Sequence, residues 1–461
     1  MAKSSTGSRQ LNRPWRSGPI IDKYAMIPIL ACIFALIVFP ILTFVNSPDQ
    51  QTVLSGMDAR PEPRIFWPAV AALSVLLAVQ NRSRLTLPPH IITLFAYLTF
   101  AGASVLWAFS PQSSFVRFVQ QVMIVASIIL PAMLATRTAD IMRGVFLCFA
   151  CALILNVFFI LSGSVTIARY GSKLVDIGYQ GYFEGKNYLG ECAAIGFLLS
   201  IHEIRCPGWG RRALGIIAFA LAIVLVFLSD SKTALGLAFI APFLASVTLA
   251  VRKITRVSPA IILLSIPLSY IVLSHVSHFS MGRISYMLYG DSTFTGRAII
   301  WDFAQYEIDR SPFVGWGYQS FWLVPGSPSL EAPGWVKMMP NAHNGYYDTM
   351  LELGYVGLAF LLVFILATLH AIGRVADCNP ARARLLLSLA LFIIMYNFLE
   401  SLWMRGFEFL WVMFLIVAAE TGRYCLPFPL RRTGYRSRSA KPGSLGPLAE
   451  AQTPAPGIRL P

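Results

Sequence analysis

Charge is scarce in this chain. Asp, Glu, Lys and Arg make up 13% of its 461 residues, about half the share in an ordinary soluble domain. Apolar residues reach 56% and mean hydropathy is +0.63. That leaves too little polar surface to coat a water-soluble body, so domains are not to be counted by length. Acidic residues are the rarer sign, 22 against 37 Lys and Arg, for a net charge of +15. The excess does not imply nucleic acid as a partner, because the basic residues are not gathered in one folded stretch. They punctuate apolar runs, as membrane topology requires. Phosphate-loop and Gly-rich dinucleotide signatures are missing too. Energy for a reaction then has to arrive with an activated substrate or from an ion gradient.

The apolar residues form runs at 24–45, 66–79, 90–109, 115–135, 144–163, 188–201, 213–228, 234–251, 259–275, 347–372, 385–402 and 407–424. They predict an all-α polytopic membrane protein with about 12 transmembrane helices, each near the length that crosses ~30 Å of hydrocarbon. The runs at 66 and 188 are short and can be tilted or re-entrant. Residues 1–23 form a basic N-terminus and 24–276 hold spans one to nine. A large loop covers 277–345, spans ten to twelve lie in 346–424, and a basic tail rich in Pro, Gly and Ser, expected to be disordered and able to meet anionic lipid heads, covers 425–461.

Lys and Arg set the orientation. With Lys3, Arg9, Arg13, Arg16 and Lys23 inside, the inner loops carry Arg82/Arg84, Arg137/Arg143, Arg205/Arg211/Arg212, Arg252/Lys253/Arg256 and Arg374/Arg382/Arg384. Most basic residues then lie inside, as the positive-inside rule requires. Both termini are expected in the cytoplasm and the long loop outside. The first run is too long, and lacks the small-residue site, for a cleavable signal. Of seven cysteines, Cys32, Cys148, Cys151 and Cys192 fall in spans and Cys206, Cys378 and Cys425 in inner segments. None falls outside, so no structural disulfide is expected. Cys148 and Cys151 read as helix packing rather than a redox or zinc pair.

The outer loop of about 65 residues is unusually long and polar for a connection between spans. Thr295 is expected to cap a helix whose apolar stripe is Ile299, Ile300, Phe303, Ala304 and Ile308, with Arg297 in its first turn. A cation at a helix N-terminus opposes the helix dipole and is better tolerated beside an anion. The alternative is a salt bridge to Asp291 or Asp302. Other outer cations are Arg169, Lys173, Lys186, Lys232, Arg283, Arg310 and Lys337. Each can be a solvated or lipid-head charge, and together they can line a cleft for an anion such as a diphosphate. His343 lies between Asn341 and Asn344 ahead of Gly345. It can take a proton from a sugar hydroxyl or orient it, or it can simply bond to backbone at a helix start. His90, His202 and His370 are expected at inner interfaces. His275 and His278 lack the further ligands a metal would need. No Asp-x-Asp pair occurs in the outer loops, so no metal is expected. The aromatics Tyr286, Tyr289, Trp301, Tyr306, Trp316, Tyr318, Trp322, Trp335, Tyr346 and Tyr347 suit either an interfacial belt or a sugar-stacking surface.

Several short motifs occur in a fixed order: Thr295-Gly296-Arg297 with Trp301; Ser311-Pro312 with Gly315-Trp316-Gly317; Phe321-Trp322; His343-Asn344-Gly345-Tyr346; and Leu351-Glu352-Leu353-Gly354 with Gly357. Weaker ones precede them, Gly185-Lys186-Asn187 with Gly190 and the stretch from Ser229 to Leu235. In these the chain resembles the O-antigen ligase and polymerase superfamily, and most of all the ExoQ-like exopolysaccharide polymerases.

The resemblance implies a helical fold related to the GT-C glycosyltransferases in a bacterial inner membrane. It implies a polyprenyl-diphosphate-linked glycan donor, a glycan acceptor, and neither cofactor nor metal. Flippase and chain-length regulator proteins are candidate partners beside membrane lipids. Carried over, the catalytic pair is His343 and Arg297. Diphosphate binding falls to Arg297, Lys232, Lys186 and Arg169. Sugar binding or loop shaping falls to Asn344, Tyr346, Trp301, Trp316 and Glu352. Lys232 stands where the family often has Arg, which keeps the charge and loses the bidentate fork. The expected activity is inverting polymerisation of lipid-linked repeat units. The alternatives are ligation of a glycan to lipid A core and, in a different class, secondary transport.

Overall fold

Asp22 opens the first helix. Its carboxylate accepts from the Tyr24 amide at 2.9 Å and the Thr136 amide at 2.6 Å, so one side chain caps a helix and ties it to a distant loop. The computed structural model describes residues 22–46, 61–136, 138–162, 169–170, 173–174, 178–277, 296–406 and 408–425. The elements are α1 (Lys23–Ile33), continued through a π-helical turn (Phe34–Val38) into α2 (Phe39–Asn46); α3 (Pro61–Gln80); α4 (Pro89–Ala103) with a 3-10 turn (Ser104–Trp107); α5 (Pro111–Leu134); and α6 (Ile141–Leu161). A two-residue antiparallel pair follows, β1 (Arg169–Tyr170) and β2 (Lys173–Leu174). Then come α7 (Lys186–Ile204), α8 (Trp209–Leu228), α9 (Lys232–Thr255), α10 (Pro259–Ser277), α11 (Arg297–Arg310), α12 (Gly345–Cys378), α13 (Pro380–Tyr396) and α14 (Phe409–Cys425).

Each expected apolar run coincides over most of its length with helix among the described residues, but the twelvefold count does not emerge as such. Among the described residues nine helical segments are long and apolar enough to cross a membrane. The other three runs form α7, α13 and α14. α13 stops at Tyr396, so residues 397–402 are link rather than span. α7 and α14 are buried along nearly their whole length. A helix surrounded by protein does not need an apolar outer face. α7 accordingly carries Asn187, Glu191, Ser200 and Glu203, and packs against α6, α8, α9 and α13. Small residues allow the close approach: a Cβ on Gly190 would meet Ser231 and Ala234, and one on Gly196 would meet Leu153. α10 lies at the other extreme, largely exposed along the outside of the bundle.

One end of α7 enters an ion network. Arg143 and Arg211 both reach Glu203, at 2.7 and 2.6 Å, while Arg211 and Arg382 reach Asp140 at 3.3 and 2.8 Å. Burial works to raise the Asp140 carboxyl, but the guanidinium groups of Arg382 and Arg211 and the Arg143 amide outweigh it and hold it below its usual value. Arginines expected on the inner face in three separate segments thus converge on two acids. His90, expected at that interface, is instead buried, with Nε2 3.0 Å from the Ala418 carbonyl oxygen. Cys148 is buried and Cys151 exposed, consistent with packing for the first alone. His278 lies outside the described residues.

At the opposite end, residues 296–344 fold down onto α12. α12 is broken at Gly354, whose φ of 64° and ψ of −168° interrupt the helix. The break frees backbone groups for the loop. Tyr355 and Val356 amides donate to the Pro312 and Phe313 carbonyls, at 2.7 and 3.1 Å. Trp316 and Gly317 amides donate to Leu351 and Glu352, at 2.8 and 2.9 Å. Two motifs separate in sequence are therefore one docking joint. A Cβ at Gly354 would sit 2.2 Å from the Phe313 carbonyl carbon. Gly354→Ala should lower thermal stability in nanodiscs by about 3 kcal/mol or more, from the left-handed backbone and this collision together. Gly236→Ala, where a Cβ meets nothing within 4 Å, should leave the melting temperature in place.

Candidate active site

Arg297 is the first residue of α11, preceded by Gly296 in left-handed conformation (φ 84°). Gly296 holds the cap position and contributes no side-chain cap bond; Thr295, expected there, lies outside the described residues. The expected stripe is rotated. Ile300, Ala304 and Ile308 are buried, Phe303 is half-buried and Ile299 is exposed. The stripe packs into a small core of the loop itself, with Phe321, Trp322, Ala332, Val336, Ala342 and the α12 residue Leu351. This core fixes the direction of α11 and so the position of Arg297.

The Arg297 guanidinium does not pair with Asp302. One of its terminal nitrogens donates to Glu400 Oε1 at 2.7 Å. Glu400 lies in the link between α13 and α14. The same oxygen accepts from Asn187 Nδ2 at 2.9 Å, and the other, Oε2, lies 3.0 Å from His343 Nδ1. Asn187 Oδ1 in turn accepts from Ser231 Oγ at 3.3 Å, next to Lys232. One carboxylate thus gathers the loop arginine, the loop histidine and the start of α7. The start of α9 joins through Asn187.

His343 is held in a left-handed backbone conformation (φ 48°), uncommon for a residue with a side chain. Its neighbours impose it. The Ala342 amide donates to Asp348 Oδ1, the His343 amide to Asn341 Oδ1 and the Asn344 amide to Ser401 Oγ. Asn344 caps α12, accepting from the Tyr346 and Tyr347 amides. The Gly345 amide donates to the Asn397 and Glu400 carbonyls, at 2.8 and 3.0 Å. The 341–345 turn and the 397–401 link are therefore stitched together by backbone.

Lys186 lies 3.4 Å from Asp230, a partly exposed pair at the mouth of the site. Lys232 is exposed at the N-terminus of α9. Arg169 lies on β1, and its side chain is outside what the structure describes. The residues given to sugar binding or loop shaping are engaged within the protein. Asn344 is the cap. Tyr346 donates to the Ile394 carbonyl and packs on Phe398 and Trp403. Trp301 donates to the Ala342 carbonyl, with its ring parallel to Tyr347. Trp316 donates to the Glu307 carbonyl and stacks on Phe109. Glu352 is buried against Arg405, 2.9 Å away, which also lies 3.2 Å from Asp348. Burial works against the Arg405 charge, but Glu352 and Asp348 hold the guanidinium above its usual value.

Sequence reasoning did not bring out Glu400, Asn187 or Arg405 as partners. Glu400 carried one available signal. A carboxylate at the end of an apolar run is costly unless something pairs with it.

These features define a class, a helical membrane protein with a polar, cation-bearing site at one end of the bundle. Residues 217–362 match the family model described as O-antigen ligase. That stretch includes Lys232, Arg297, His343 and Glu352 but stops short of Glu400 and Arg405. The chain is also similar to the exopolysaccharide production protein ExoQ of Rhizobium meliloti (strain 1021), 27% identical over 311 residues that cover 64% of this chain and 67% of the relative. The resemblance read from the motifs therefore holds in direct comparison.

Arg405 offers a test of how the loop is seated. Arg405→Ala leaves Glu352 and Asp348 buried without their cation and should destabilise by about 3–5 kcal/mol. Adding Glu352→Gln should recover part of that loss, read as the melting temperature in nanodiscs.

Proposed function

We propose that this protein is a metal-independent, inverting membrane glycosyltransferase. It polymerises polyprenyl-diphosphate-linked repeat units into exopolysaccharide or O-antigen on the outer face of the bacterial cytoplasmic membrane. The reading takes α7, α13 and α14 as crossings beside the nine longer segments, for about 12 spans in a GT-C-related fold. It puts both termini in the cytoplasm and the loop before α12 outside. Orientation is supported by α7, which has Glu203 and its arginines at one end and Asn187 at the other. Nineteen residues of helix separate the two ends, about 28 Å at 1.5 Å per residue, near the thickness of the hydrocarbon.

The observation that carries the proposal is the meeting of Arg297 and His343 on one carboxylate. A guanidinium has five N–H donors. Arg297 can keep its bond to Glu400 and still offer others to a diphosphate. Lys186 releases its partner easily, because the pair with Asp230 is long and partly exposed. The N-termini of α7 and α9 add partial positive charge beside Lys186 and Lys232. In the reaction, an acceptor hydroxyl oxygen attacks the anomeric carbon of the donor glycan. The bond from that carbon to the diphosphate oxygen breaks, and its electron pair leaves with the diphosphate. The cations offset that charge, and the hydroxyl proton passes to His343. Flippase and chain-length regulator proteins are the proposed partners before and after this step.

Ligation of a finished glycan to lipid A core keeps the same donor chemistry and changes the acceptor. The matching family model is described as a ligase, while the similar protein ExoQ is named for exopolysaccharide production. The test uses His343→Ala in cells making the polymer and in proteoliposomes supplied with a lipid-linked repeat as the sole acceptor. The variant should remain in the membrane while single undecorated lipid-linked repeats accumulate, and wild type should extend them. Polymer of normal length from the variant contradicts the proposal. Transfer by wild type to lipid A core but not to the lipid-linked repeat makes the protein a ligase.

A further inference from the structure

We infer that Glu400 is a positioning residue for this transfer. It fixes the proton of His343 on Nδ1, so that Nε2 presents its lone pair to the acceptor hydroxyl. The inference rests on the proposed reaction for its consequence, but its structural core stands apart from it.

An ionised carboxylate accepts hydrogen bonds and donates none, and a neutral imidazole has one donor nitrogen and one acceptor. Glu400 Oε2 lies 3.0 Å from His343 Nδ1, so in the neutral ring that nitrogen is the donor. The contact selects the tautomer with Nε2 unprotonated. Among the described residues Nε2 has no hydrogen-bond partner, and the His343 side chain remains 31% exposed. The nitrogen left to act as base is the one open to a substrate.

Glu400 is itself immobilised. Arg297 and Asn187 both donate to Oε1, which leaves Oε2 for the imidazole. Its amide donates to the Tyr396 carbonyl at 3.1 Å, and its carbonyl accepts from Gly345, two residues past the histidine. The carboxylate and the imidazole it orients are thus carried on two segments already bonded to one another. With its oxygens engaged by three donors, Glu400 is not placed to take the hydroxyl proton itself. It acts through His343, and secondarily by setting the direction of Arg297.

Selectively 15N-histidine-labelled protein in nanodiscs tests this, with the His343 signal assigned by its loss in His343→Gln. Wild type should show a protonated Nδ1 and an imine-type Nε2. Glu400→Ala should shift His343 toward the Nε2–H form that predominates for imidazole in water. It should also lower kcat for transfer about 100-fold, the scale of a misdirected general base. KM for the lipid-linked donor should not rise, because Arg297 is freed rather than removed. Glu400→Gln keeps an acceptor oxygen and should keep the wild-type tautomer with a smaller loss of kcat. It serves also if the alanine variant is unstable. An unchanged His343 tautomer in Glu400→Ala, or a changed one with normal turnover, overturns the inference. Lack of transfer by wild type would instead count against the proposed function and leave the tautomer result standing.

Discussion

A single carboxylate holds one end of this molecule together. Glu400 receives Arg297 from α11, His343 from the turn before α12 and Asn187 from the start of α7. Each lies in a segment that would otherwise be free to settle separately. An acid in such surroundings is stable only when paired and hydrogen-bonded, so the requirement to satisfy Glu400 is also what brings these segments to one point. The backbone bonds between the 341–345 turn and the 397–401 link then keep the arrangement in place before any substrate arrives.

The same principle operates at the other end of α7, where Glu203 and Asp140 gather Arg143, Arg211 and Arg382. Interior helices that carry polar residues at both ends let the protein place charge near each membrane surface without exposing it to lipid. α7 and α14 contribute little to the outer surface and much to the alignment of everything packed around them. The loop uses neutral means instead. Its short core of Ile300, Ala304, Ile308, Phe321 and Trp322 and the backbone joint at Gly354 seat it on α12.

The helical membrane architecture was legible from the spacing of apolar runs, each of which coincides over most of its length with helix among the described residues. The count of crossings was less so, because hydropathy measures fitness for lipid and α7, α13 and α14 face mostly protein. His343 and Arg297 stood out as polar residues in an outer motif. Their shared partner did not, since about 57–103 positions of sequence separate it from them and only the tertiary fold closes loops of that length. The aromatic residues were the least legible. Trp301, Trp316 and Tyr346 suited a sugar-stacking surface, an interfacial belt or internal packing, and the choice rests on where each N–H or O–H finds its acceptor. In this structure those acceptors are backbone carbonyls of the protein itself.

The most direct test is a structure of the protein in a lipid nanodisc with a polyprenyl diphosphate bound. The account places the phosphates within hydrogen-bonding reach of Arg297, beside the N-termini of α7 and α9, with His343 Nε2 facing the adjoining space. Phosphates lodged instead at the Arg143, Arg211 and Arg382 cluster, or along the lipid-facing side of α10 with no contact to Arg297, would contradict it.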